Sequence, residues 1–339
     1  MNKRVGPRTV RFENPPVLLS AASAAGKSER EGPYGEAFDI AVEDDLWGEK
    51  TYELAERKML TKVVEAAVAQ AGLKTDDISF MLAGDLLNQI ISSGFAARQL
   101  GLPFIGLYGA CSTMSESLMV GSMIVDGGFA NYLVCATSSH FATAERQFRM
   151  PLELGTPKTP TSQNTATASG AVILSMVRDA GRPAVTHVTT GRVIDYGVKD
   201  ANNMGAAMAP AAAETILTHL KETGRNADYY DHIITGDLGT FGSQLLGEIA
   251  TEAGMQLKNH LDCGAMIYSG NPMMHCGGSG CGCSASMLSG HFYKRMMAGE
   301  IKRVLFTATG ALHSPTSSLQ GESVPGIAHA VAIEMGCGA

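Results

Sequence analysis

Charge and aromatic side chains are both scarce in this chain of 339 residues. Charged residues make up 17%, Phe, Trp and Tyr together 6%, and Trp47 is the lone tryptophan. The charge present leans acidic, for a formal net of −7, so the basic surface that neutralises phosphates is missing and nucleic acid is excluded as the main partner. No apolar run approaches the roughly 20 residues that a membrane-spanning helix needs. The first eleven residues are basic but no apolar signal-peptide core follows them, which leads to the expectation of a cytosolic protein. Seven cysteines are odd in number and lack small-scaffold spacing, which argues against a disulfide framework. What is plentiful is small and apolar: hydrophobic residues reach 45%, and 39 glycines punctuate the ends of apolar runs. That is the texture of an alternating α/β chain with a sizeable core.

One stretch organises the rest. Residues 102–108 are an apolar run that reads as a buried strand, and residues 112–126 space Met114, Leu118, Met119, Met123 and Ile124 along one helix face. Between them, Gly109-Ala110-Cys111-Ser112-Thr113 puts a cysteine where a strand turns into a helix. Unpaired N–H groups and the helix dipole at such a place lower a thiol pKa, and they also bind carboxylates or phosphates. Cys111 is therefore a candidate nucleophile, a candidate anion site, or a buried inert thiol.

Along the chain, strands are expected over 17–22, 78–83, 132–136 and 168–176, with helices over 50–72 and 88–101. Residues 143–163 read as a long polar loop carrying Glu145, Arg146, Arg149 and Lys158. In the second half, strands are expected over 185–193, 232–235, 304–308 and 328–334, and helices over 209–223, 242–254 and 281–299. The halves repeat. Ala83-Gly84-Asp85-Leu86 matches Thr235-Gly236-Asp237-Leu238, each after an apolar strand and an acidic lead-in. Cys111 precedes Thr137 by 26 positions (137 − 111), and Cys283 precedes Thr309 by 26 positions (309 − 283). The expected organisation is two similar halves, residues 1–180 and 181–339, with facing helix starts.

A duplicated α/β chain with a cysteine opening the first half's central helix resembles the thiolase-like fold, and more closely the stage V sporulation protein AD family. The resemblance is carried by Ala83-Gly84-Asp85-Leu86-Leu87-Asn88-Gln89, the Cys111 stretch, Val125-Asp126-Gly127-Gly128, Ala136-Thr137-Ser138-Ser139-His140 and Ala142-Thr143-Ala144-Glu145-Arg146. It continues through Met208-Ala209-Pro210, Gly277-Gly278-Ser279-Gly280-Cys281 and Ala308-Thr309-Gly310-Ala311-Leu312. It implies a five-layer α/β/α/β/α fold and a homodimer. It also implies binding of dipicolinic acid, pyridine-2,6-dicarboxylate, for its uptake into the developing spore, largely as the calcium chelate. No cofactor of its own is implied beyond that carried calcium. The expected partners are membrane proteins of the same operon, with the chain peripheral to the forespore or spore inner membrane.

Condensing enzymes of this fold need more than a cysteine: a base and oxyanion donors come from two second-half turns. The resemblance to ketoacyl synthases places a His just after the strand at Ile233-Ile234 and an Asn in the Gly-rich approach to the last helix. This sequence has Thr235-Gly236-Asp237 and Gly277-Gly278-Ser279 there. The expectation is a binding protein with no catalytic residue, Cys111 being a vestigial nucleophile; the alternative is an acyl-thioester condensing enzyme that attacks through Cys111. A planar dianion needs donors for both carboxylates. The residues expected to supply the site are Cys111, Thr137, Ser138, Ser139, His140, Glu145, Arg146, Arg149 and Met204. For Arg146 and Arg149 a solvated or subunit-contact role competes, and for His140 a structural one. His275, Cys276, Cys281 and Cys283 lack a usual zinc spacing, so no metal site is expected, and Asp85 and Asp237 read as caps or as a pair across the pseudo-twofold.

Overall fold

The computed structural model describes residues 3–148 and 158–336. Its first half runs β1 (Val17–Ala25), α1 (Tyr52–Gln70), β2 (Phe80–Gly84), α2 (Ile91–Leu100), β3 (Phe104–Gly106), α3 (Thr113–Asp126), β4 (Tyr132–Ser139), α4 (Phe141–Phe148) and β5 (Ala168–Ser175). The second runs β6 (Ala184–Thr189), α5 (Met204–Thr223), β7 (His232–Thr235), α6 (Gly239–Glu252), β8 (His260–Asp262), α7 (Cys281–Ser286), β9 (Arg303–Ala311) and β10 (Gly326–Glu334). Helix α7 runs on through a π turn at Met287–Phe292 into Tyr293–Met297.

The strand order is β8-β7-β9-β10-β6-β1-β5-β4-β2-β3, which is mirrored about its centre. In each half the innermost strand pairs antiparallel with the last, and the remaining three run parallel (β4-β2-β3 and β9-β7-β8). β1 and β6 meet at a single register pair, Val17 with Ala184. The repeat seen in the sequence is thus a repeat of topology.

Burial explains the layers. Helix α1 starts on Thr51, whose hydroxyl accepts from the Leu54 N–H at 3.3 Å, and it lays Met59, Leu60, Val63, Val64 and Ala67 onto the first half-sheet. Helix α5 does the same on the second with Met208, Ala212, Ile216 and Leu220. Between the half-sheets lie α3, which packs against β4 on one side and β9 and β10 on the other, and α7, which packs against β4 and β5. This is the five-layer thiolase-like arrangement, with its central core around Met114, Leu118, Leu133, Met287 and Phe306.

Several elements depart from the sequence reading. The run at 102–108, expected as a buried strand, forms only the short edge strand β3, on which Ile105 is exposed, and the strand expected over 185–193 ends at Thr189. Residues 141–148 form helix α4, running into the stretch from 143 that was expected to be loop; the helix is amphipathic but only eight residues long, and it buries polar Thr143 and Glu145 beside Ala142 and Ala144. Helix α5 begins at Met204, five residues before the expected start, with Asn203 as its cap at 3.3 Å; Pro210 lies inside the helix, not at its first turn. Before α2, Gln89 and Ile90 adopt left-handed backbone (φ 57° and 46°), so the helix starts at Ile91 and not at Asn88.

Candidate functional site

The polypeptide enters α3 through a strained corner. Ala110 has φ 50°, a left-handed conformation costly for a residue with a Cβ, and the corner closes as a short 3₁₀ turn over Ala110–Ser112. That turn consumes the N–H groups of Ser112 and Thr113, which donate to the carbonyls of Gly109 and Ala110. The Ser112 and Thr113 hydroxyls donate to the same two carbonyls at 2.7 Å.

Cys111 is 6% exposed and forms part of the wall of a cavity with about 460 Å³ of empty space, some of it open to solvent. Leu86, Tyr108, Ala144, Phe148, Met204 and Ala311 form its apolar lining, and Thr165, Ser279, Glu145 and His313 its polar lining. An open groove by Asn88, Gln89 and Ser314 shares Tyr108 and His313 with it and gives access.

Behind the Cys111 sulfur is a chain of polar groups from the second half. The sulfur is 3.9 Å from Ser279 Oγ, and that hydroxyl donates to Asp237 Oδ2 at 3.0 Å. Asp237 also accepts from the Gly280 N–H at 3.1 Å and from Thr309 Oγ1 at 2.8 Å. It is fully buried, and desolvation pushes its pKa up to about 6. Burial, then the Asp237 charge, hold the Cys111 thiol well above its usual range. The lowered thiol pKa expected from the helix start is therefore reversed, because loss of water and a facing carboxylate outweigh a helix terminus whose first donors are already taken.

Of the residues expected at the site, Cys111, Glu145 and Met204 line the cavity. Glu145 is 3.4 Å from Lys158 Nζ, which also donates to Asn164 Oδ1 at 2.5 Å. Thr137, Ser138 and Ser139 belong to β4 itself and not to a turn beyond it. Their hydroxyls donate to the Cys281 carbonyl at 2.9 Å, to Glu56 Oε1 at 3.1 Å and to the Ala166 carbonyl at 2.8 Å. His140 is buried; Nε2 donates to the Asp45 carbonyl at 2.8 Å, Nδ1 accepts from the Ala142 N–H at 3.1 Å, and desolvation lowers its pKa. Arg146 is on the outward side of α4, paired with half-exposed Glu53. Arg149 lies outside the described residues.

The reason for this sorting is a crossing of the two halves. The end of β4 covers the start of α7: Ser139 Oγ accepts from the Gly282 N–H at 3.2 Å. The end of β9 covers the start of α3: a Cβ on Gly310 would lie 2.2 Å from the Gly109 carbonyl oxygen. The groups facing Cys111 come from the second half, Ser279 from the turn before α7 and Asp237 from the turn after β7, and not from β4. Asp237, Ser279 and His313 are the residues a local reading passes over. The repeat offset of 172 (309 − 137) that maps Thr137 onto Thr309 leads to the end of β9, just before His313, but not to Asp237 or Ser279, which lie on the turns after β7 and before α7.

Asp85, the repeat mate of Asp237, accepts from the Leu87 N–H at 2.9 Å and from the Ser93 N–H and hydroxyl at 2.8 and 2.7 Å, at the start of α2. Asp262 takes the equivalent duty for α6, accepting from the Leu238 and Gly239 N–H groups. Cys276, Cys281 and Cys283 point to three different carbonyls, of Pro160, Ser138 and Gly236.

Fold and site together define a thiolase-like protein in which the cysteine at the head of α3 faces a serine and a carboxylate. Its solved structural relatives include the tetronic acid condensing enzyme AbyA1 (18% identity, TM-score 0.59, 94% of this chain and 99% of that one). They also include 3-oxoacyl-[acyl-carrier-protein] synthase III from Aquifex aeolicus VF5 (12%, 0.59, 94% and 99%) and an OleA variant from Xanthomonas campestris (10%, 0.61, 96% and 99%). At such identities they establish the fold. The chain belongs to the stage V sporulation protein AD family: the family's sequence pattern matches residues 6–334. It is 45% identical over 338 residues to the stage V sporulation protein AD of Bacillus subtilis (strain 168), covering 99% of each chain. That membership supports a role in sporulation. No helix among the described residues is long and apolar enough to cross a membrane.

Proposed function

We propose that this chain binds dipicolinate, with calcium as its companion ion, for delivery into the developing spore, and that it does not condense acyl thioesters. One observation carries the reading: the cavity keeps its enclosure while the groups facing Cys111 are Ser279 and Asp237. A condensing enzyme stabilises a thiolate and an oxyanion with donors and a base. Here a buried carboxylate opposes both charges, so the sulfur stays a neutral thiol. What remains is a small, partly enclosed pocket with Tyr108 and Phe148 at hand for a planar ring and the Ser279 and Thr165 hydroxyls for carboxylates.

Dipicolinate as the ligand is supported by family membership and by this fit. Membrane association through partner proteins, and a homodimer, complete the proposed role. The alternative, acyl transfer through Cys111, draws support from the strained corner at Ala110, which presents the sulfur to the cavity. Titration calorimetry of the full chain with dipicolinate, with and without calcium, tests the reading; isophthalate, which lacks the ring nitrogen, is the control. Saturable binding that Cys111→Trp abolishes and Cys111→Ala retains is expected. Acylation of Cys111 by acetyl or malonyl thioesters with product turnover would favour the alternative.

A further inference from the structure

The cavity is awkward for an anion. Glu145 lines it, the N–H groups of Ser112 and Thr113 are consumed, and the Cys111 thiol is backed by a hydroxyl committed elsewhere. The direction of that hydroxyl decides what the wall offers. While Asp237 is ionised it can only accept, so Ser279 gives its proton to Asp237 and turns its lone pairs toward Cys111 and the cavity. A ligand carboxylate would then meet an acceptor. If Asp237 carries a proton, the carboxylic acid donates to Ser279 Oγ, and the Ser279 hydroxyl is released to donate into the cavity.

We propose that Asp237 is a positioning residue for anion recognition: binding of the dianion takes up one proton at Asp237 and turns the Ser279 hydroxyl outward to a ligand carboxylate. The inference rests on the dipicolinate reading above. One proton moves from solvent to the Asp237 carboxylate, and no covalent bond to the ligand forms or breaks.

The surroundings of Asp237 favour such a proton. Its hydrogen-bond partners are hydroxyls, a thiol and a peptide N–H, contributed by the starts of α3 and α7 and by β9. Asp262, at the end of β8, adds charge of the same sign. The other titratable groups packed around it are the buried thiols of Cys263, Cys281 and Cys283, all neutral. Across the cavity are Glu145, backed by Lys158, and the phenol of Tyr108 and the imidazole of His313. The pKa of about 6 puts the free protein's carboxyl within reach of physiological protonation. A dianion close to Ser279 raises it further, since like charges disfavour ionisation.

The test is calorimetric titration with dipicolinate between pH 5.5 and 8, where the ligand remains a dianion, in two buffers of different ionisation enthalpy. Affinity is expected to fall toward tenfold per pH unit at the alkaline end, with close to one proton taken up per ligand. In Asp237→Asn the amide donates to Ser279 permanently, so the slope and the uptake should vanish, and at pH 8 the variant should bind at least tenfold tighter than wild type. Ser279→Ala should lose the acidic-side affinity. A wild-type affinity that is flat with pH overturns the proposal. A slope that persists in Asp237→Asn does so too, by assigning the proton to His313 or Glu145. Should Asp237→Asn fold poorly, His313→Gln with its slope and uptake intact supports the assignment, and with both abolished refutes it. No heat from dipicolinate at any pH would refute the dipicolinate reading itself, whereas binding without proton uptake would refute only this inference.

Discussion

Replacing Asp237 with Asn should awaken the Cys111 thiol. The sulfur and the carboxylate flank the Ser279 hydroxyl and lie no more than about 7 Å apart through it. At an effective dielectric near 20, removing a unit charge even at that outer limit of roughly 7 Å is worth at least about 2.4 kcal/mol to the thiolate, or a fall of at least about 1.7 in the thiol pKa. Far below its pKa, the thiolate fraction rises by that full factor of about fifty, while each thiolate becomes less nucleophilic along a Brønsted slope of about 0.4–0.5. The net expectation is alkylation at least about sevenfold faster at a fixed pH. The assay is iodoacetamide labelling at pH 7.5, read at Cys111 by peptide mass spectrometry, with the buried Cys135 as an internal standard whose pKa burial alone holds up. An unchanged or slower rate at Cys111, with Cys135 unaltered, would refute the claim that the Asp237 charge holds the thiol neutral.

Three further outcomes follow from the geometry. His219 is held between Thr189 Oγ1 (2.7 Å) and Tyr230 Oη (2.6 Å), and burial drives its pKa down to about 3. The unfolded chain takes up that proton near pH 6.5, so stability is present above 6.5 and is lost as pH falls toward 3. The loss is about 2 kcal/mol at pH 5, and urea unfolding of His219→Gln should show an acid limb shallower by that amount. Arg146→Ala removes a half-exposed ion pair with Glu53, so it should cost less than about 1 kcal/mol and leave dipicolinate affinity within about twofold by calorimetry. Gly310→Ala drives a Cβ to 2.2 Å from the Gly109 oxygen, under the corner that holds Cys111. It should destabilise by about 1–3 kcal/mol or more, seen as a lower Tm, and should weaken dipicolinate binding; an unaltered Tm would mean that the corner yields easily.

The sequence exposes those parts of the fold whose signals are apolar and local. The strands around Ile78–Ala83, the α1 face of Met59, Val63 and Ala67, and the Cys111 turn are all apolar runs with glycine stops. The repeat is visible for the same reason. Helix α4 escapes because it is short and two of its four buried residues are polar: Thr143 Oγ1 donates to Glu56 Oε2 at 2.7 Å, a partner 87 positions away. Its apolar face, Phe141, Ala144 and Phe148, spans barely two turns, too short a window to stand out beside buried polar neighbours. The site was half legible. Cys111 stands out by its place at a helix start, and Glu145 by its neighbourhood, but Thr137, Ser138 and Ser139 were assigned to it by closeness in the chain. The Thr137 and Ser139 hydroxyls face the other helix start, that of Ser138 goes to Glu56, and the carboxylate facing the thiol comes from 126 positions downstream.

On the proposed reading, that separation accounts physically for a ligand site on this scaffold without condensing chemistry. Because each half's strand end covers the other half's helix start, the environment of Cys111 is set by second-half residues that neither build its corner nor pack its helix. The corner depends on the Gly109–Gly310 approach and on α3 seated between β4 and β10. The electrostatics depend on Asp237 and Ser279. The side chains on those two turns meet the corner only at the Cys111 sulfur; their other hydrogen bonds run among themselves and to Thr309 and Gly280. A donor or base there would stabilise negative charge on sulfur and on a thioester oxygen; a carboxylate there repels both. Only when that carboxylate is neutralised does the wall become a donor surface, and a dianion is the ligand that gains most from the change.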